Sequence, residues 1–223
     1  QLRLGEAGEA LATFARLGER PGASPLRRAG ATYQSGHAEA SLAAIDPDNA
    51  EAHWMQARAF WGAIFTDHAD SIYVDNAAYQ LAALPYDQGD PGAALAALAR
   101  FETEYPDSGL RHLAVYKQGR AAEKLGRLDD AFATYERYGA GWPEGAFADN
   151  SRYHQGRVRF AQAQADDATA SVRYAEAELL FRSVLDNFAP SALQPWVAYY
   201  LGRARYHRRS YDGALDAFRL SLS

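Results

Sequence analysis

Arginines and aromatic rings recur in this chain at one fixed spacing, and they are the side chains with the most chemistry to offer. The sets are Trp54, Arg58, Trp61; Tyr79, Ala83, Tyr86; Tyr116, Arg120, Glu123; Tyr153, Arg157, Phe160; and Tyr199, Arg203, Tyr206. A step of four followed by a step of three keeps all three side chains on one stripe of a helix. An aromatic residue leads every set, and arginine holds the middle of four of the five. Tyrosine, tryptophan and arginine dominate binding hot spots, and a guanidinium can fork onto a carboxylate or stack on a ring. The strip therefore predicts a groove of aromatic platforms with guanidinium groups between them, for a protein or peptide that carries acidic groups or a free C-terminus. A plainer reading stands beside it: the rings only pack neighbouring helices, and exposed arginine is simply a good helix former. Pro85 is expected to interrupt the helix of the second set.

Signals for catalysis are thin. The six histidines (His37, His53, His68, His112, His154 and His207) are spread along the chain, with no pair at metal-ligand spacing on one helix. Asp67, His68, Asp70 and Asp75 carry the donors for a divalent cation, but a solvated acidic loop is the favoured reading. There is no glycine-rich phosphate loop and no nucleophile elbow. The absence of cysteine excludes disulfides, thiolate zinc sites and a cysteine nucleophile. Accordingly no enzymatic activity, cofactor or metal is expected. The aromatic segment His53–Phe65 offers either a ligand pocket or, as favoured, a core built on Trp54, Phe60 and Phe65. A net charge of -5 argues against nucleic acid as the main partner. No apolar run approaches the roughly 20 residues that span a bilayer. The chain opens at Gln1 without methionine or a signal-like segment, which reads as a piece of something longer.

The elements that must position these residues follow from an internal repeat. From Gly119, Ala131 follows at 12, Tyr135 at 16, Tyr138 at 19 and Pro143 at 24. From Ala82 the same offsets give Ala94, Leu98, Phe101 and Pro106, and from Gly202 they give Ala214, Phe218 and Ser221. Ala82, Gly119 and Gly156 fall at equal intervals of 37, and after Gly156 the marks arrive nine positions late, at Ala177, Phe181 and Val184. Small residues let two helices cross closely, and the large ones fill the gap to the next pair. Ala94 and Ala131 are thus expected at buried crossings. Gly89 and Gly126 suit turns that need a left-handed residue. Helical periodicity runs over Leu113–Leu125, Asp129–Tyr138, Tyr174–Phe188 and Trp196–Arg208, with no sustained strand alternation. The delayed segment "AQAQADDATASV" reads as a helix extension and then a mobile loop, a candidate partner contact.

With these marks, "FETEYPDSGLRHLAVYKQG", "LGRLDDAFATYERY" and "WPEGAFADNSRYHQG" resemble the tetratricopeptide repeat. They look most like its long-period subtype in bacterial envelope proteins, such as the periplasmic partner of the Tol–Pal system and the lipoprotein of the barrel assembly machine. The resemblance covers about Asp75 to Ser223. It implies an all-α fold of antiparallel helix pairs stacked into a right-handed solenoid, a scaffold function, a protein or peptide partner, and a periplasmic or outer-membrane-associated location, with the cytoplasm as the alternative. The lysine and asparagine clamp with which the family holds a peptide carboxylate is not seen, so binding of chaperone C-termini is not implied.

The N-terminal third departs from the pattern. Ala10, Phe14 and Leu17 carry the marks of a second helix, Leu26, Gly30 and Tyr33 those of a first helix, and "IDPDNAEAHW" those of a junction into the next unit. Yet the interval from Gly30 to Ala57 is only 27, and that from Ala57 to Ala82 only 25. Helix parity is expected to fail near Asp67–Asp75. The resulting organisation is an irregular segment at 1–74 and a regular one at 75–223 with an insertion near 161–172, in one continuous solenoid. The last helix carries Leu215, Phe218 and Leu222 without a polar cap, so the chain is expected to continue or this face to meet another molecule. Two other functions compete with the groove: a structural subunit using terminal or convex surfaces, and a regulatory domain of a larger enzyme.

Overall fold

The computed structural model describes residues 2–188 and 190–222, with side chains from Gly5 onward. Eleven helices account for its regular structure, and there is no strand among the described residues: α1 Leu2–Glu19, α2 Pro25–Ile45, α3 Ala50–Asp67, α4 Val74–Asp87, α5 Pro91–Glu104, α6 Arg111–Lys124, α7 Leu128–Gly141, α8 Ala148–Ala165, α9 Ala170–Asn187, α10 Gln194–His207 and α11 Tyr211–Leu220. The expected all-α class of helix-pair repeats is thereby met. The chain divides into two units, Gln1–Leu110 and Arg111–Ser223.

In the second unit one contact fixes each hairpin. A ring of the second helix packs against a glycine of the first: Tyr135 on Gly119, Phe181 on Gly156 and Phe218 on Gly202. A Cβ at any of these glycines would sit 2.5–2.6 Å from ring carbons, so no larger residue fits without prying the helices apart. Ala131, Ala177 and Ala214, one turn before each ring on the same helix, are buried as well. The ring follows its glycine at an offset of 16 in two hairpins (119 to 135 and 202 to 218) and of 25 in α8–α9 (156 to 181). The nine extra positions lengthen both helices. The turn between them is short, and Asp166 closes it by accepting from the Ala168 N–H at 3.0 Å and the Thr169 hydroxyl at 2.9 Å. The expected helix extension is present, and the mobile loop expected after it is reduced to this turn because α9 begins already at Ala170.

The first unit obeys the same rule in a place that spacing from Gly30 does not reveal. Trp61 lies across Gly36, again at an offset of 25, and its indole N–H donates to the Tyr33 carbonyl at 3.2 Å. α2 and α3 are thus the two arms of one long hairpin, with "IDPDNAEAHW" holding the turn inside it rather than a junction between units. α3 ends at Asp67 and α4 starts at Val74, so inner and outer helices keep alternating and the expected loss of parity does not occur. Around the crossing, Tyr33, Ala57, Trp61, Ile64, Ala77 and Leu84 make one core. α4–α5 is a short hairpin with Ala82 in place of glycine and buried Ala94, Leu98 and Phe101. Pro85 does not break α4: it sits in the last turn, where the helix runs on to Asp87. Gly89 and Gly126 take positive φ, at 88° and 72°, after the first helices of their hairpins. Arg209 occupies the matching place in α10–α11 at φ 62°, a conformation that costs a side-chain-bearing residue about 1–2 kcal/mol.

Candidate partner-binding strip

In the second unit the inner helices are α6, α8 and α10, and the arginines between their rings knit adjacent helices. Arg157 of α8 reaches Glu123 of α6, Nη2 to Oε1 at 3.3 Å, and lies 5.7 Å from the Tyr200 ring of α10. Arg203 of α10 lies over Phe160 of α8 at 4.7 Å and near its own Tyr199 at 5.8 Å. Arg120 Nη1 donates to the Tyr116 hydroxyl at 3.5 Å. All three guanidinium-bearing residues are half-buried. The rings differ among themselves. Tyr153 and Phe160 are buried, because Tyr200 of the following inner helix packs on both with ring centroids 6.0 and 5.8 Å away. Tyr116 is half-buried, whereas Tyr199 and Tyr206 are exposed. The strip is thus a row of rings, buried on α8, half-buried on α6 and exposed on α10, with guanidinium groups beside them.

Beneath it lies a polar cluster that residue spacing alone does not reveal. Glu123 accepts from the Tyr135 hydroxyl at 3.0 Å, faces Arg157, and has His154 Nδ1 2.8 Å from its Oε2, off the line of a straight N–H···O bond. Burial pushes the Glu123 carboxyl up, but His154, Arg157 and Tyr135 together outweigh it and hold the group below the usual carboxylate range. Burial pulls His154 down, and Glu123 offsets this only in part. Burial raises the Tyr135 phenol, with Glu123 adding to the effect. The cluster carries an anion that anchors Arg157, with the Glu123 side chain 15% exposed. It has no free nucleophile.

In the first unit the set Trp54, Arg58, Trp61 sits on α3, the outer arm of its hairpin, and so does not join the inner strip. Trp61 is core, Trp54 packs beside it, and exposed Arg58 donates from Nη2 to the Gln88 amide oxygen at 3.4 Å. The matching inner positions on α2 are Tyr33, His37 and Ala40. The signal that could have found them is Gly36 paired with a tryptophan at an offset of 25, the same offset as Gly156 to Phe181. On α4, Tyr79 and Ala83 are buried and Tyr86 is half-buried. Within the segment His53–Phe65 the residues divide between core and surface. Phe65 lines a cleft of about 210 Å³ with Leu81, Arg100, Phe101 and Tyr105. Of the acidic run, Asp75 accepts from the Ser108 hydroxyl at 2.6 Å and His68 Nε2 lies 3.3 Å from the Thr32 hydroxyl. Among the described residues no three histidine, cysteine or acidic side chains gather as a metal site, and no helix is long and apolar enough to cross a membrane.

Residues 76–108 and 113–144, which hold α4–α5 and α6–α7, match the family model described as tetratricopeptide repeat. The match supports the tetratricopeptide repeat family. Solved structures agree on the fold. The crystal structure of BtubC (BKLC) from P. vanneervenii superposes with a TM-score of 0.68 at 12% identity, over 99% of this chain and 88% of that one. The crystal structure of MamA gives 0.59 at 16% identity, over 79% and 91%. A Podosopora anserina putative kinesin light chain with nearly identical TPR-like repeats gives 0.58 at 14%, over 83% and 92%. No curated protein matches the chain. A tetratricopeptide-type scaffold is consistent with protein–protein interaction.

Proposed function

We propose that the chain is a non-catalytic scaffold that holds an acidic protein segment or extended peptide on the inner face of its second unit. One observation carries this reading: Arg120, Arg157 and Arg203 hold equivalent places on three inner helices, Arg157 and Arg203 beside the buried rings of Tyr153 and Phe160 and Arg120 beside half-buried Tyr116, in a chain of net charge -5. Nothing in the hairpin crossings requires a guanidinium at that position, since the matching residues are His37 on α2 and Ala83 on α4. A local cationic row in an acidic protein steers acidic partners to itself. A place within a bacterial envelope assembly belongs to the same proposal and rests on the resemblance of the repeat sequences. The test is capture of native partners by wild type and by an Arg120→Gln, Arg157→Gln, Arg203→Gln variant at low and high salt. Loss of capture in the variant, and weakening of wild-type capture as salt rises, are expected, because exposed charges are screened within about 8 Å at physiological ionic strength. Equal recovery by both proteins overturns the reading.

A further inference from the structure

We infer that the cleft between α3 and α5 in the first unit receives an arginine side chain from a basic segment of a partner protein. It is a second site, opposite in charge to the arginine row and beyond the function proposed above. Ala78 and Leu81 of α4 line the cleft, Phe65 joins them from α3, and Phe101 with Tyr105 joins them from α5 and its end. The Phe101 and Tyr105 rings are stacked at 5.2 Å, and Phe65 is 37% exposed. Arg100 and Glu104 complete the lining.

The second unit fills the matching place with an arginine of its own. In the hairpin register Trp61, Ala82 and Leu98 correspond to Tyr135, Gly156 and Phe181. Phe65 therefore matches Gly139, Ala78 matches Arg152, Leu81 matches Gln155 and Tyr105 matches Phe188. Those four residues of the second unit also line one cavity, and it measures only about 90 Å³ against about 210 Å³ in the first unit. Arg152 is half-buried there, and its Nη1 donates to Gln155 Oε1 at 3.2 Å. Ala78 and Leu81 leave that plug out, and Phe65 puts a ring where Gly139 has none.

Charge favours the same occupant. The first unit holds 15 acidic and 7 basic residues, and the second 13 acidic and 16 basic. Within 60–110 there are 8 acidic residues, and Arg100 is the one lysine or arginine. Burial raises the Tyr105 phenol above its ordinary value, and the carboxylates of Glu104 and Asp75 add to the rise. An incoming arginine would lay its aliphatic stem on Ala78 and Leu81, stack its flat guanidinium on the rings and fork its N–H groups onto Glu104. Lysine brings the charge without the plane. Arg100 holds Glu104 only loosely, with Nε 3.8 Å from Oε1 and the two side chains 73% and 58% exposed. Exposed pairs of this kind contribute little, so an arriving guanidinium can replace it.

The probes are fluorescein-labelled nona-arginine and nona-lysine, titrated with the full chain by fluorescence anisotropy. Wild type should bind nona-arginine about fivefold more tightly than nona-lysine. An Ala78→Arg, Leu81→Gln chain, which rebuilds the plug of the second unit, should lose that preference. A Gln56→Arg chain, which adds the same charge more than two turns from Phe65 on α3, should keep it. Glu104→Gln, a change at an exposed position that leaves the fold intact, should weaken nona-arginine binding, and Arg100→Ala should tighten it. The Arg120→Gln, Arg157→Gln, Arg203→Gln chain should keep the preference of wild type, which separates this cleft from the arginine row. Equal binding of the two probes by wild type, or unchanged nona-arginine binding by the Glu104→Gln chain, overturns the inference. So does a plugged chain that behaves as the Gln56→Arg chain does. Self-association by light scattering that Glu104→Gln abolishes overturns it as well, since the cleft would then belong to a second copy.

Discussion

The two long hairpins, α2–α3 and α8–α9, share a register and differ in what they display. In both, a glycine is followed at an offset of 21 by a buried alanine and at an offset of 25 by the ring that crosses it: Gly36, Ala57, Trp61 in one and Gly156, Ala177, Phe181 in the other. One step beyond the glycine, the first hairpin has His37, which is drawn into the core against the edges of Tyr33 and Trp61 at 4.7 and 5.4 Å. The second has Arg157, half-exposed and anchored by Glu123. Four positions beyond the glycine stand Ala40 and Phe160. The crossing alone thus determines that a long hairpin forms, and the inner stripe is free to vary. That freedom is the physical ground for reading the arginines of the second unit as functional and the histidine of the first as packing.

The comparison breaks most easily at its glycines. Gly36→Val and Gly156→Val should each lower stability by about 1–3 kcal/mol in urea denaturation, because the added carbons meet a ring that cannot retreat. Gly62→Ala on α3, where a Cβ meets nothing within 4 Å, should instead raise stability by up to about 1 kcal/mol. A neutral Gly36→Val would show that α2–α3 is not in the register of α8–α9.

Acid sharpens the contrast. His37 and His154 are both held by burial below the ordinary histidine value of 6.5. A depressed histidine takes its proton first in the unfolded chain, so stability is complete above pH 6.5 and falls as pH drops from there toward the folded-state pKa. Glu123, held below 4.5, adds stability above that value that is lost on further acidification. Denaturation midpoints measured from pH 7.5 to 4 should fall, and His154→Gln should flatten the part nearest pH 6. A midpoint that rises on acidification would mean that His154 is charged against Glu123 in the fold. The smallest effect is expected at the α10–α11 turn. Arg209→Gly should stabilise by under about 1 kcal/mol, as relief of the positive φ is partly offset by the chain entropy of glycine; a thermal midpoint that drops would show that the Arg209 side chain matters more than its backbone.

Much of the second unit was legible because glycine, alanine and ring fall at the same offsets in α6–α7 and α10–α11 and nine positions late in α8–α9, so helices, crossings and buried Ala131 follow from spacing. The first unit was obscured by the nine-position extension, which moves the alanine from an offset of 12 to one of 21 after its glycine and hides Gly36 behind Gly30. Gly30 marks a different close approach, one to the Tyr73 hydroxyl. For the strip, the alternation of ring and arginine could be read, but the burial of Tyr153 and Phe160 could not. It depends on Tyr200, a residue of the next inner helix that lies off the stripe. Glu123 was placed on the stripe by its spacing, but its partners His154 and Tyr135 come from two other helices and only the fold assembles them.

The central claim is that partners are held on the inner strip of the second unit. Site-specific photocrosslinking tests it most directly, with a benzophenone side chain at position 161, one turn beyond Arg157 on α8, and in a second protein at position 59 on the exposed side of α3. The account predicts crosslinked partner from position 161, diminished by salt, and none from position 59. Capture from position 59 alone, or equally from both, would contradict it.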